Sequence, residues 1–208
     1  LGQACGNAAQ RLILWPSSNT LAAMRFEGAF TALVTPFRDG SVDEKALAAL
    51  VEAQIEGGID GLVPCGTTGE SVALDADEHE RVVAVVAEVA AGRVPVVAGA
   101  STNSTRKSID LARRAKSAGA DGLLLVCPYY NRPTQAGLEA HVRAILDAVP
   151  LPGMLYNVPA RCSVDMDVDT IARLAQHELV VALKEASGNI LKAQDVVAAC
   201  GDRLTVLS

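Results

Sequence analysis

Of the five lysines in this 208-residue chain, four fall in polar helical patterns and one does not. Lys45, Lys107, Lys116 and Lys192 belong to the first group; Lys184 ends the apolar run Val180-Val181-Ala182-Leu183. Loss of water at such a place disfavours the ammonium form. A neutral amine attacks carbonyl carbon to make a Schiff base. Pairing of Lys184 with the adjacent Glu185 is an equally good reading of the same position. All three tyrosines, Tyr129, Tyr130 and Tyr156, also close or follow apolar runs, and none falls in a helical pattern. A phenol carries protons and orients a carbonyl oxygen, although packing at a rim with the hydroxyl in water explains any single one as well. Gly66-Thr67-Thr68-Gly69-Glu70 places two hydroxyls between flexible glycines. Backbone N–H groups in such a turn bind carboxylates, and the hydroxyls add donors, but Gly/Thr turns are common. Arg161 follows Asn157-Val158-Pro159-Ala160 and offers a forked pair to a second carboxylate, with a solvated arginine as the plainer account. Taken together, an amine nucleophile, proton carriers and two anion-binding groups fit an aldolase-type reaction on a small keto acid.

The elements that must position these residues are read from hydrophobic period. Apolar, β-rich runs occur at 29–34, 61–65, 94–99, 122–127, 153–156, 180–183 and 204–207, and helical periodicity at 44–56, 78–91, 105–118, 138–148, 168–177 and 190–199. Asp43, Asp77, Ser104 and Asp167 stand where helix N-caps are needed. Gly57-Gly58, Gly92, Gly119 and Gly201 stand where helices end. The strands are nearly continuous in apolar residues, as parallel strands covered on both faces are. Strict β-then-α alternation leaves a (β/α)₈ barrel and an open doubly wound sheet. No GxGxxG follows the first strand, which weakens the dinucleotide-binding version. The special residues gather after strands, on the face where barrels carry active sites. The fold class is therefore α/β, a TIM (β/α)₈ barrel, incomplete here: seven strands and six helices are counted, against eight units and about 250 residues for a full ring.

Composition narrows the functional classes. The net charge is −6, from 18 basic and 24 acidic residues, with no basic stripe to displace phosphate counterions, so nucleic acid is not an expected partner. No apolar run reaches the roughly 18 residues of a membrane span, and a cytoplasmic protein is expected. Five cysteines without a CxxC pair argue against a disulfide framework or structural zinc. Cys65 and Cys127 read as small buried hydrophobes. His79, His141 and His177 fall in separate helices and read as surface residues rather than metal ligands. Residues 1–24 lack periodicity, and Met24 precedes the first strand, so this stretch reads as a disordered or non-native leader before a catalytic domain at 25–208.

The four blocks Gly66-Thr67-Thr68-Gly69-Glu70, Pro128-Tyr129-Tyr130-Asn131-Arg132-Pro133, Tyr156-Asn157-Val158-Pro159-Ala160-Arg161 and Lys184-Glu185-Ala186-Ser187-Gly188-Asn189 occur in an order and at spacings similar to the signature of the dihydrodipicolinate synthase family, within the Schiff-base-forming pyruvate aldolases and lyases. The resemblance runs from about Phe26 to Ser208. It implies a lyase that condenses pyruvate with L-aspartate 4-semialdehyde to 4-hydroxy-tetrahydrodipicolinate, a step of lysine and diaminopimelate biosynthesis. It implies that Lys184 forms the imine, so that no cofactor is needed, and that Tyr156, Thr67 and Tyr130 relay protons. By the same resemblance Gly66 and Thr68 hold the pyruvate carboxylate, and Arg161 holds that of the semialdehyde. Tyr130 would come from a neighbouring subunit, making the full-length protein a dimer or tetramer.

A family lysine-inhibition site matches in part through Ser71, His79, Asn103 and Tyr129. Ala76 replaces a frequent histidine there. Lys107 stands where feedback-sensitive members carry glutamate, so weak or absent lysine inhibition is expected. The resemblance also implies an eighth strand and further helices after Ser208; without them the barrel exposes two sheet edges. Two rivals remain: another pyruvate-dependent aldolase, similar to N-acetylneuraminate lyase or to 2-keto-3-deoxy sugar acid aldolases, and an inactive fragment.

Overall fold

A computed structural model describes residues 25–208. The leader expected at 1–24 and Cys5 lie outside the described residues. The first strand, β1 (Phe30–Ala32), leads into a two-stranded antiparallel hairpin, β2 (Phe37–Arg38) and β3 (Ser41–Val42), and then α1 (Glu44–Glu56). Alternation follows: β4 (Gly61–Val63), α2 (Ala76–Ala90), β5 (Val97–Gly99), α3 (Thr105–Ser117), β6 (Gly122–Val126), α4 (Gln135–Ala148) and β7 (Gly153–Asn157). After the single turn α5 (Pro159–Cys162) come α6 (Val168–Leu174), β8 (Val180–Glu185), α7 (Ile190–Cys200), a 3-10 turn and β9 (Thr205–Leu207).

Strands β1 and β4 pair in parallel, and β5 to β9 form one parallel sheet in sequence order. A bridge between Leu62 and Val96 joins the two sets. The result is seven consecutive strands of a (β/α)₈ barrel, wrapped outside by helices, as the alternation implies. Register stacks the inward side chains in layers. Leu124, Met154, Ala182 and Thr205 form one layer, and Val126, Tyr156, Lys184 and Leu207 form the layer above it, towards the strand C-termini. The core is aliphatic. Leu123, Leu155 and Leu183 face the helices wholly buried, against Ile145, Leu146, Ile171 and Val196.

Helix starts follow their caps. Asp43, Ser104 and Asp167 accept backbone N–H bonds as expected. Helix α2 begins earlier than its periodicity suggests, because Asp75, not Asp77, is the cap; Asp75 and Glu78 form a reciprocal capping box. Two elements escape the sequence reading. The hairpin is only two residues a side, and α5 is a single turn opened by Pro159. Both are too short to show a period. Among the described residues the count is thus seven α-helices rather than six.

Two assignments of polar side chains are overturned. His79 and His141 are buried, at 2 % and 6 % exposure, rather than on the surface. His79 Nε2 lies 2.6 Å from the Gly99 carbonyl oxygen, and His141 Nδ1 lies 2.9 Å from Thr105 Oγ1. Their helices lie flat on the sheet, and periodicity says nothing of which polar residues are turned inward. Lys192 is the second error. It is 9 % exposed, and its Nζ donates to Asp165 Oδ1 and, at 2.6 Å, to the Met166 carbonyl. Cys65 and Cys127 are buried as read, each at 1 %.

Candidate active site

The turn after β4 is held from two sides. From beyond β1, the Thr35 hydroxyl donates to the Gly69 carbonyl oxygen at 2.7 Å. On the other side Gly99 lets β5 approach; a Cβ there would stand 2.0 Å from the Cys65 carbonyl oxygen. Cys65 (φ 54°) and Glu70 (φ 56°) adopt the left-handed region, unusual for side-chain-bearing residues and a common mark of functional turns. The turn exposes both threonines, and among the described residues their backbone N–H groups make no hydrogen bond. They are free to receive an anion.

A cavity of about 200 Å³ opens beside this turn at the C-terminal ends of the strands. Gly66, Thr67 and Ser71 line it from one side, Tyr129, Tyr156 and Arg161 from the other. Arg161 is carried by α5 and exposed, and among the described residues its guanidinium makes no ion pair or hydrogen bond. Its charge is available to a ligand. Cys65 also lines the cavity, but burial pushes its thiol up to about 12, which rules out a ready thiolate nucleophile.

Lys184 does not line this cavity. Its Nζ sits 4.6 Å from the centre of the Tyr156 ring, which does. Tyr156 and Lys184 are register partners on β7 and β8, so their side chains leave the sheet side by side towards the ring interior. Burial lowers the Lys184 amine below the ordinary lysine value of 10.5, and desolvation is its sole cause. The ring face acts in the opposite sense and favours the cation. The alternative pairing with Glu185 is excluded. Glu185 points to the helix side, where it accepts bonds from Asn157 Nδ2 at 3.0 Å and Ser187 N–H at 2.7 Å.

The remaining candidates divide. Tyr130 is 88 % exposed with φ 73°, and it is not on the cavity wall. Thr68 is likewise outside the cavity lining. Among the described residues no hydrogen bond joins the hydroxyls of Thr67, Tyr130 and Tyr156. Of the four residues matched to a lysine-inhibition site, Ser71 and Tyr129 line the same cavity as Tyr156. Burial raises the Tyr129 phenol. Asn103 offers its carbonyl to Asn131 Nδ2 at 3.0 Å, and His79 is enclosed. Ala76 and Lys107 lie apart, on a groove between α2 and α3. Sequence reasoning missed Thr35, Gly99 and Asn157. The first two were visible only as residues at strand ends, and Asn157 only as part of a block.

Among the described residues no group of three or more His, Cys, Asp or Glu side chains could hold a metal ion, and no helix is long and apolar enough to cross a membrane.

Comparison with known proteins gives one consistent result. A 4-hydroxy-tetrahydrodipicolinate synthase from Pelobacter propionicus is 55 % identical over 183 residues, which are 88 % of this chain and 63 % of that protein. The solved 4-hydroxy-tetrahydrodipicolinate synthase of Methylacidiphilum fumariolicum superposes with a TM-score of 0.87 at 45 % identity, over 88 % of this chain and 62 % of that one. The chloride-inhibited dihydrodipicolinate synthase of Acinetobacter baumannii, solved in complex with pyruvate, gives 0.84 at 46 % identity, over 86 % and 62 %. The chain thus spans a little under two thirds of the length of these relatives. Residues 25–208 match the Dihydrodipicolinate synthetase family as a whole, and the chain belongs to that family.

Proposed function

We propose that this chain carries the catalytic core of a 4-hydroxy-tetrahydrodipicolinate synthase, a lyase of lysine and diaminopimelate biosynthesis. The observation that carries the reading is a half-buried lysine without an ion-pair partner, its amine lowered by desolvation, over a tyrosine ring at the mouth of a β/α ring. The relative from Acinetobacter, solved with pyruvate bound, supports pyruvate as the first substrate.

The neutral Lys184 amine adds to the keto carbon of pyruvate; a C–N bond forms and the oxygen leaves as water, giving an imine. Loss of a proton from the pyruvate methyl group makes an enamine. Its carbon attacks the aldehyde of aspartate semialdehyde, and the aldehyde oxygen takes up a proton. Ring closure through the semialdehyde's amine then displaces the lysine. Tyr156 stands beside the amine and is the nearest phenol for these proton transfers. Thr67 and the free N–H groups of its turn receive the pyruvate carboxylate, and Arg161 across the cavity receives the second. The chemistry asks for no cofactor. Tyr130, exposed and held in a left-handed conformation, completes the relay in an oligomer, where a neighbouring copy brings it to the site. The reaction belongs to the cytoplasm.

The test is a screen of aldehydes. The chain is incubated with pyruvate and, separately, aspartate semialdehyde, N-acetylmannosamine or glyceraldehyde, and condensation products are read by mass spectrometry. Product from aspartate semialdehyde alone is expected. Product from the sugar aldehydes instead would assign the site to another aldolase of the same scaffold.

A further inference from the structure

Behind the Tyr156–Lys184 pair lies a buried polar cluster that the proposed chemistry does not use. Alternation along a strand sends Tyr156 and Lys184 to the ring interior and their successors, Asn157 and Glu185, to the helix side. The successors are themselves register partners. Asn157 is wholly buried and Glu185 is 4 % exposed. The Asn157 amide nitrogen donates to Glu185 Oε2 at 3.0 Å and to Asp165 Oδ1 at 2.8 Å, and its amide oxygen accepts the Met166 N–H at 3.0 Å. Its main-chain carbonyl accepts the Ala186 N–H at 2.9 Å. Lys192 of α7 closes the cluster through Asp165 and the Met166 carbonyl.

One side-chain amide therefore ties together the last residue of β7, the last residue of β8 and the segment that follows the Arg161 turn. An amide supplies two donors and an acceptor at once. Alanine supplies neither, and aspartate would set a third carboxylate against Glu185 and Asp165. The ladder between β7 and β8 ends at this pair, so at the strand ends the cluster adds side-chain ties to the one backbone bond from Ala186 N–H to the Asn157 carbonyl.

We propose that Asn157, braced by Glu185 and Lys192, is a positioning residue that holds the Lys184 amine over the Tyr156 ring and Arg161 beside the same cavity. This rests on the lysine-imine reading above. Lys184 faces Tyr156 from β7 and pairs with Leu207 on β9, and no charged group contributes to the shift of its amine. Its surroundings are thus set by packing alone, which is what the cluster controls.

Competitive labelling of the whole chain with trace acetic anhydride across a pH series reports the nucleophilicity of each lysine and requires no pyruvate. Asn157→Ala and Lys192→Met are expected to move the Lys184 labelling midpoint upward by about one pH unit, an about tenfold loss of free amine at a fixed lower pH. Lys192→Arg, which keeps the charge and the donors, restores most of it. Ile171→Ala, a wholly buried change in α6, lowers the melting temperature without moving that midpoint. Should Asn157→Ala not fold, Lys192→Met with its arginine rescue carries the test. Midpoints that stay unchanged in the folded variants, with only thermal stability lost, would overturn the proposal. Parallel trapping with pyruvate and borohydride keeps the two readings separate. A native chain that labels at a low midpoint and takes no pyruvate contradicts the imine reading and leaves the positioning test standing.

Discussion

Lys184 is set apart by its surroundings rather than by a partner. Its amine is lowered because the strand end removes water from it, so the folded chain bears a cost for the charged form. The unfolded chain binds the proton more readily between the lowered value and 10.5, and stability rises with pH through that window. Lys184→Met is therefore predicted to raise the thermal midpoint at neutral pH, with the gain shrinking as pH climbs towards 10.5, measurable by melting across a pH series. At Arg161 the expected split is different. Arg161→Ala should leave pyruvate capture at Lys184 intact and weaken capture of the semialdehyde about tenfold or more, because a charge-assisted pair contributes about 1.5–3 kcal/mol. Much at this scale was legible. A lysine ending an apolar strand has few explanations, and Tyr156, Thr67, Gly66 and Arg161 do share one cavity. Lys192 was not legible, because its place on a helix hides that the first turn of α7 closes over the 165–166 segment. The buried histidines were misread for a like reason.

Elements place these residues through their ends. The capping box at α2 anchors the helix that follows the Thr67 turn, and Asp75→Ala is predicted to cost about 0.5–2 kcal/mol, read from denaturant melts. Its effect should fall on stability and on order in the 66–74 turn. Gly99 is a stricter point. A methyl group there meets the backbone of Cys65, not a flexible side chain that could move aside. Gly99→Ala should either prevent folding or push the Thr67 turn out of the cavity, and solubility with circular dichroism distinguishes this from a neutral change. The strand-and-helix order was readable throughout because the apolar runs are short and the helices long enough to show a period. Caps set the helix starts to within a few residues. What escaped were elements shorter than one period, such as α5, which carries Arg161 on a single turn opened by proline.

At the scale of the whole molecule, seven parallel strands bring residues from β4 to β8, distant in sequence, to one rim. Burial holds His79 and His141 below the ordinary histidine value of 6.5. The unfolded chain takes up protons that the fold excludes, so their contribution is full above 6.5 and is lost as pH falls through the lowered folded values. Thermal melts are predicted to weaken from pH 7 to about pH 5, and the paired change His79→Gln with His141→Gln should flatten that slope. Architecture was legible here because alternation of β and α, with special residues after strands, leaves few topologies. The seven consecutive parallel strands were legible as a count of apolar runs. The account as a whole stands on Lys184 as the nucleophile. Incubation of the chain with pyruvate and borohydride, followed by peptide mapping, tests this most directly. A reduced pyruvate adduct on the peptide containing Lys184, absent in Lys184→Met, is predicted; an unmodified Lys184, or an adduct spread over Lys45, Lys107 and Lys116, would contradict it.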